Sequence, residues 1–521
     1  MAVAEPVPTP LADYRATEAS RWCTVTGLRV YSGAQTLTIA NAVAAVLALA
    51  IGGAFGVAIG LTRAPGMELL GSSAFYASLT GHGVAALILW PIFFEVAAMV
   101  FASTILLNAR MFSNTLGWLA FALMVVGALM TLVIIVSGDA SVAFTAYPPL
   151  KASQIFYIGY LVFAVGALLA IVNFTLSIAK ARAEGVLEGS LPLITYGVAC
   201  AAILAFLSIG SGLVALLPAW FYSAGWLGGV DPIVYRAWFW GLGHTLQYVN
   251  VVAMVVCWYG ILALALGTGP VNQKFTRVAF ILYLVFTVPV LGHHFLVDPS
   301  LSTGVKIVGG TMLGFALGVP SLMHGLAVMG GAEAHLRKQG ATGLFGWLKR
   351  VKWGNPGIAA LAVSMLIFAI GGWNGTAETT LPLNMVSHNT MWVPAHLHQV
   401  VTGGTTVAFM GFAYYLIPLL VRRRLWGFKW ATFQIYLYGV GMFVMTMAQS
   451  WAGTLGVPRR TWEIGYSGQA PSGWDLPMNI AGFGAGLSGV AGALFVVIMV
   501  ATLLIGKRTD DPAELAPSGL A

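Results

Sequence analysis

Along the chain, long runs of apolar residues that are almost free of charge alternate with short polar segments. Twelve runs come close to 20 residues or exceed it, near 37–62, 80–107, 115–137, 155–181, 191–217, 235–267, 275–296, 305–330, 356–373, 391–420, 430–453 and 478–505. A bilayer core about 30 Å thick offers backbone N–H and C=O groups no partner, and about 20 helical residues cross it with every such group paired internally. The pattern therefore predicts an all-α integral membrane protein of about 12 transmembrane helices.

Composition agrees: of 521 residues, 59% are hydrophobic and only 8% charged, which excludes an ordinary water-facing surface. A net charge of +8 could point to nucleic acid, but Lys and Arg stand in short clusters between the apolar runs, so no nucleic-acid partner is expected. The clusters read as topology. With the N-terminus inside, the inner segments hold nineteen cations: Arg15, Arg21, Arg29, Arg110, Lys180, Arg182, Lys274, Arg277, Arg337, Lys338, Lys349, Arg350, Lys352, Arg422, Arg423, Arg424, Lys429, Lys507 and Arg508. The outer segments hold the remaining six of 25: Arg63, Lys151, Arg236, Lys306, Arg459 and Arg460. The positive-inside rule then places both ends in the cytoplasm. Residues 1–36 are expected as a cytoplasmic segment without the order of a cleaved signal, 37–505 as one membrane domain, and 506–521 as a cytoplasmic tail. Cys23, Cys200 and Cys257 lack metal or disulfide spacing and are read as small apolar residues.

Chemistry concentrates in the nine histidines. Any single intramembrane histidine could be a hydrogen-bonded packing residue, but an ionisable group in a span is also a functional candidate. On the topology above, His82, His244, His396 and His398 lie early in spans running inward, while His293 and His294 end a span running outward. All six are thus expected at one depth near the outer face. Packing residues have no reason to share a level, whereas a layer of metal centres does.

Spacing sorts them further. His396 and His398 differ by about 200° around a helix and project to opposite sides, so one helix can hold two hemes. His82 can supply the second axial ligand to the heme on His398, closing an electron-transfer center, while the heme on His396 keeps an open face. His293 and His294 differ by about 100° and can converge on one metal at a helix end, which with His244 makes a three-nitrogen site suited to copper. Two other classes remain open: a secondary transporter, for which twelve spans are common, and a bis-histidine cytochrome b without copper.

The fragments "LTGHGV" around His82, "WGLGHTLQY" around His244, "VPVLGHHFLVDP" around His293 and His294, "HNTMWVPAHLH" ending at His398, and "GVPRR" ending at Arg460 stand in that order. Together they resemble the heme-copper oxygen reductases, specifically subunit I of their B family, over roughly residues 70–465. The resemblance implies a cytochrome c oxidase-type enzyme of a prokaryotic cytoplasmic membrane that reduces O2. It implies a low-spin heme on His82 and His398, a high-spin heme on His396, and copper B on His244, His293 and His294. Heme types stay open. It further implies that Arg459, Arg460 and His388 attend the heme propionates, and that Tyr248, one turn from His244, donates the extra electron and proton for O–O cleavage. No copper-A ligand set occurs in this chain, so electrons are expected from a subunit II, cupredoxin-like or cytochrome, fed by cytochrome c or another small redox protein.

Some positions depart from the family pattern. The acid expected four residues before His388 is Asn384, and Thr245, Gln247 and Asn250 follow His244 where other residues are usual. Of the hydroxyls expected inward of Tyr248, the first falls at Val255, the second at Tyr259, and a Ser/Thr pair at Gly310 and Leu313. Thr311, Gln247 and the lone intramembrane acid Glu95 are the candidates to repair this path. The loss also keeps nitric oxide reduction to N2O, which takes protons from the outer face, as the alternative reaction. His324 and His335 match no ligand position and are expected to be structural or surface residues.

Overall fold

The computed structural model describes residues 19–299 and 301–519. The first 18 residues of the expected N-terminal segment, Arg15 among them, lie outside the described residues, as do the last two of the tail. A short antiparallel hairpin of β1 (Ser20–Trp22) and β2 (Arg29–Tyr31) leads into the membrane, with Ser20 opposite Tyr31.

Among the described residues, twelve helices are long and apolar enough to cross a bilayer: α1 (Ser32–Thr62), α2 (Ser72–Ile105), α3 (Asn114–Val136), α4 (Gln154–Ala183), α5 (Leu193–Ser223), α6 (Pro232–Leu266), α7 (Gln273–Phe295), α8 (Thr303–Lys338), α9 (Pro356–Thr379), α10 (Trp392–Val421), α11 (Phe428–Thr454) and α12 (Ser472–Ile505). The number agrees with the hydropathy reading; several bounds do not. Helix α2 begins eight residues earlier than expected, at Ser72, and α9 runs six residues further, to Thr379.

Polar residues mark several starts. Asp231 and Asn355 accept backbone N–H groups of the next turn, each followed by a proline at the first helical position, where a missing N–H costs nothing. Gly267 closes α6 with φ 67°, a conformation that costs a residue without Cβ little. Regular winding breaks in four π-helical stretches, Ala85–Leu89 and Phe101–Ile105 in α2, Ile307–Met312 in α8 and His398–Thr406 in α10. Such stretches cluster at functional sites.

Burial ranks the helices. Helices α10, α6 and α2 are almost wholly covered by others, whereas α1, α7, α8 and α12 turn broad faces outward. The three central helices carry His396 and His398, His244, and His82. Between neighbours the contact is made through small residues, as at Gly441 and Gly484, where an added Cβ would meet Ser488 and Met445 at 2.6 Å and 2.5 Å. This is how membrane helices approach closely without a hydrophobic force between them.

The two ends of the bundle are stitched differently. At one end Arg21 donates to the Leu419 and Leu420 carbonyls, Arg110 pairs with Glu184 and Arg422 with Asp510. At the other, Arg63 reaches the Pro458 and Arg459 carbonyls and Arg236 pairs with Asp298 at 3.0 Å.

Candidate metal centre

Two groups of histidines form, separated by α10. On one side of it, His82 of α2 and His398 face each other with ring centroids 5.8 Å apart. Two imidazoles binding one metal from opposite sides at about 2 Å per bond would stand roughly 6 Å apart, so the pair fits an axial ligand set. The His82 Nδ1 bonds the Gly52 carbonyl of α1 at 2.8 Å, which leaves Nε2 free.

On the other side lie His244, His293 and His294, with ligand nitrogens all within 4.8 Å of one another. Nitrogens sharing one ion at about 2 Å stand no more than roughly 4 Å apart, so a small closure would complete the site. The Nε2 atoms of His244 and His294 are buried without a hydrogen-bond partner. Orphaned imidazole nitrogens that converge are what a metal satisfies. His293 bonds the Val290 carbonyl through Nδ1 at 2.9 Å, which holds its ring. The pair sits on a tight 3-10 turn, Leu291–Phe295, rather than on the regular helix assumed from spacing. Three residues per turn then sets the two side chains about 120° apart.

His396 belongs to this second side. Its Nδ1 bonds the Gly371 carbonyl of α9 at 2.9 Å. A cavity of about 1100 Å³ is lined by His244, His293, His294, His396, Tyr248 and Gln247, among others, but by neither His82 nor His398. It continues between α8 and α9 past Ser321, Gly325 and Val328 to Trp347 and Val351. Tyr248 packs against His244 with centroids 5.1 Å apart. The Gln247 amide oxygen accepts from Asn250 at 3.2 Å.

His388, Arg459 and Arg460 line the cavity as well, together with Asn389 and Arg236. Arg459 donates to the Asn389 side chain at 2.9 Å, and the buried Arg63 holds the Pro458–Arg459 backbone beneath it. Burial lowers the Arg459 guanidinium to about 10, with the Arg460 charge acting in the same direction. Burial also lowers Arg63 to about 10 and draws His388 down, the latter helped by Arg459 and Arg236. Crowded, desolvated cations of this kind suit the carboxylates of a large anionic ligand.

The remaining sequence candidates scatter. Tyr259 lies deeper on α6 and its hydroxyl meets His324 Nδ1 at 2.7 Å. The Thr311 hydroxyl donates to the Thr379 carbonyl on α9. Glu95 is buried on α2 with no partner for Oε1. It is not the lone acid in the spans: Glu378, on the last turn of α9, is also buried and lines the cavity, and Asn384 donates to its backbone carbonyl at 2.8 Å. Of the two places expected for His324, structural or surface, it takes the interior: it is fully buried. His335, in contrast, is half-buried and meets the Gln339 amide at 2.9 Å.

Sequence reasoning missed the glycines that seat the rings. A Cβ on Gly56 would stand 2.7 Å from the His82 Cε1 and Nδ1, and one on Gly375 would stand 2.4 Å from the His396 Cε1. Each lies four residues after the glycine whose carbonyl holds the same ring, Gly52 and Gly371. The signal is a repeated pattern, "GGAFG" at 52–56 and "GGWNG" at 371–375. Trp240 was missed too; it lies parallel to His294 at 3.6 Å and four residues before His244.

Comparison with known proteins bears on most of the chain. Residues 36–487 match the family model described as cytochrome c and quinol oxidase polypeptide I. A cytochrome c oxidase subunit 1 of Thermus thermophilus is 32% identical over 453 residues, covering 85% of this chain and 78% of that protein. A cytochrome c oxidase polypeptide 1 of Halobacterium salinarum is 26% identical over 486 residues, 86% of this chain and 74% of the other. Among solved structures, a heme-copper terminal oxidase dimer determined by cryo-EM aligns with TM-score 0.84 at 24% identity, over 94% of this chain and 87% of its own, a likeness of fold.

Proposed function

This chain belongs to the cytochrome c and quinol oxidase polypeptide I family, the subunit I oxidoreductases that carry hemes and a copper B site, and we propose that it is the catalytic core of a B-family terminal respiratory oxidase that reduces O2 to water. What carries this reading is one cavity that brings together the three-histidine cluster, His396 and Tyr248. When bound, the two hemes and the copper ion supply the electron storage and the coordination of dioxygen.

The residues divide the remaining work. His82 and His398, with rings 5.8 Å apart, would hold the low-spin heme between them and keep substrate from it. His396 would hold the high-spin heme, and the cavity it lines is where substrate would reach that heme. His244, His293 and His294 hold copper B, with Trp240 fixing the plane of the His294 ring. Tyr248 delivers a proton, and an electron, beside that site. Arg459, Arg460 and His388 bind the propionates. Of the candidates for the proton path, Tyr259 and Gln247 lie on the helix of Tyr248, while Thr311 and Glu95 have no hydrogen bond to it. Electrons arrive from a subunit II, cupredoxin-like or cytochrome, served by cytochrome c or a small redox protein. The chain lies in a prokaryotic cytoplasmic membrane as one membrane domain, 37–505, with segments 1–36 and 506–521 in the cytoplasm; nineteen of its 25 cations support that orientation.

Gas uptake by the purified complex tests the reading. O2 consumption is expected, together with a reduced-minus-oxidised heme spectrum and a CO-binding heme. Turnover of NO with negligible O2 consumption would move the assignment to nitric oxide reduction, the outcome that the Gln247 and Asn250 amides beside Tyr248 keep in view. A preparation without heme bands would remove the enzyme reading altogether.

A further inference from the structure

Beneath Tyr248 the central helix α6 offers an apolar side chain, Val255, before its next hydroxyl at Tyr259. Those tyrosines are 11 residues apart, about 16 Å along the helix, which is too far for one proton hop. Helices α7 and α8 fill this stretch with polar groups. The Tyr283 ring stands 5.9 Å from that of Tyr248, and its hydroxyl is 2.8 Å from the Ser321 Oγ. His324, one turn after Ser321 on α8, lies nearly parallel to the Tyr283 ring at 5.7 Å and reaches Tyr259 through Nδ1 at 2.7 Å. Tyr283, His324 and Tyr259 are at most 2% exposed.

We propose that His324 relays protons from Tyr259 to the Tyr283–Ser321 pair, and so to Tyr248, in place of the hydroxyls this chain lacks. The inference rests on the oxidase reading above. Two observations favour a relay over packing. First, the His324 Nε2 is buried and has no hydrogen-bond partner. An imidazole that only filled space beside Phe280 and Tyr283 would carry that desolvation cost for nothing. Second, the polar groups come from three helices, yet together they span the interval that α6 leaves apolar.

Imidazole suits the step because one ring nitrogen can accept while the other releases. With its proton on Nε2, His324 gains a second at Nδ1 as the Tyr259 O–H breaks, and Tyr259 is reprotonated by water from the inner side. A turn of the imidazolium ring then brings Nε2–H, which has no partner in the resting structure, to Ser321. Ser321 takes that proton as it passes its own to Tyr283, and Tyr283 passes its own to a Tyr248 left deprotonated by the reaction. His324 is left neutral with its proton on Nδ1, and exchange of that tautomer for the Nε2-protonated one completes the cycle, so the net change is one proton moved to Tyr248.

The test uses the full complex with His324→Phe, His324→Gly and Tyr283→Phe. Heme and copper contents are measured alongside turnover, the solvent deuterium isotope effect, and proton uptake on reduction followed with a pH-indicator dye. His324→Phe is expected to keep its metals, to slow turnover and proton uptake together by about a hundred-fold, and to raise the isotope effect. Tyr283→Phe follows with a smaller loss. Free imidazole is expected to restore proton uptake in His324→Gly and not in Tyr283→Phe. Parental proton uptake in His324→Phe would overturn the proposal, and so would a loss that only tracks falling heme content, with an unchanged isotope effect and no rescue. A parent complex that lacks heme bands or consumes no O2 marks failure of the oxidase reading itself, and is seen before any substitution is made.

Discussion

The His82–His398 pair and the group around His396 are built from similar parts and finished in opposite ways. Both seat a histidine by a glycine carbonyl and a second glycine four residues on, Gly52 and Gly56 for His82, Gly371 and Gly375 for His396. The first pair then has a facing imidazole at 5.8 Å, while His396 faces a cavity of about 1100 Å³ shared with the His244, His293 and His294 cluster. Closure on both faces suits a center that only passes electrons, and an open face suits one that binds a substrate. The same seating device therefore says nothing about reactivity; what stands opposite the ring decides it.

Removing a ligand separates the two most sharply. His244→Leu is expected to lose copper and reduce O2 turnover to background while the low-spin heme spectrum persists, checked by metal analysis, oxygen electrode and optical spectra. His82→Leu is expected to show the converse, with the low-spin band lost and CO binding and copper retained; turnover also collapses because electrons no longer arrive. If His82→Leu abolished CO binding as well, the two sites would not be separable units.

Adding one carbon probes the seats. Gly56→Ala and Gly375→Ala each drive a methyl into an imidazole, at 2.7 Å and 2.4 Å. Disturbing a group that orients a metal ligand commonly costs about 10–100-fold in affinity or activity. Gly56→Ala should weaken only the low-spin spectrum and Gly375→Ala only the CO-binding heme, as titration of heme content would show. Arg63→Met acts on the open site alone: the Pro458 and Arg459 carbonyls lose a buried donor. About 2 kcal/mol of stability is expected to go with it, seen as a lower Tm and a several-fold slower turnover. At the far end of the bundle, Asp510→Asn removes the exposed partner of Arg422 and should leave both spectra and turnover unchanged.

Much of this was legible in the chain because it is one-dimensional information. Span number follows from hydropathy, and the expected level of each histidine follows from its place in a span whose direction the cation asymmetry suggests. The trio His244, His293 and His294 comes together as its spacing suggested. What depends on which helices are neighbours was not legible. The seats of His82 and His396 need α1 beside α2 and α9 beside α10. Glu378 was missed because "NGTAET" at 374–379 reads as a polar loop. The helix continues there because Asn374 donates to Gln399 and Ser450, at 3.0 Å and 3.1 Å, and the Thr376 hydroxyl donates to the Gly372 carbonyl within α9. For the same reason His324 looked idle: its partners come from α6 and α7, far away in sequence.

The depth of the histidine layer has a further cost and use. His82 lies ten residues into α2 and His244 twelve into α6, about 15 Å and 18 Å below the helix starts. On the proposed reading, an electron descends from one water phase and a proton climbs from the other, and the two halves of the journey sum to one charge carried across the bilayer. Each such crossing works against the membrane voltage at about 2.3 kcal/mol per 100 mV. Sinking the reaction between two insulated half-membranes makes the enzyme a generator, and a large enough opposing voltage would brake it.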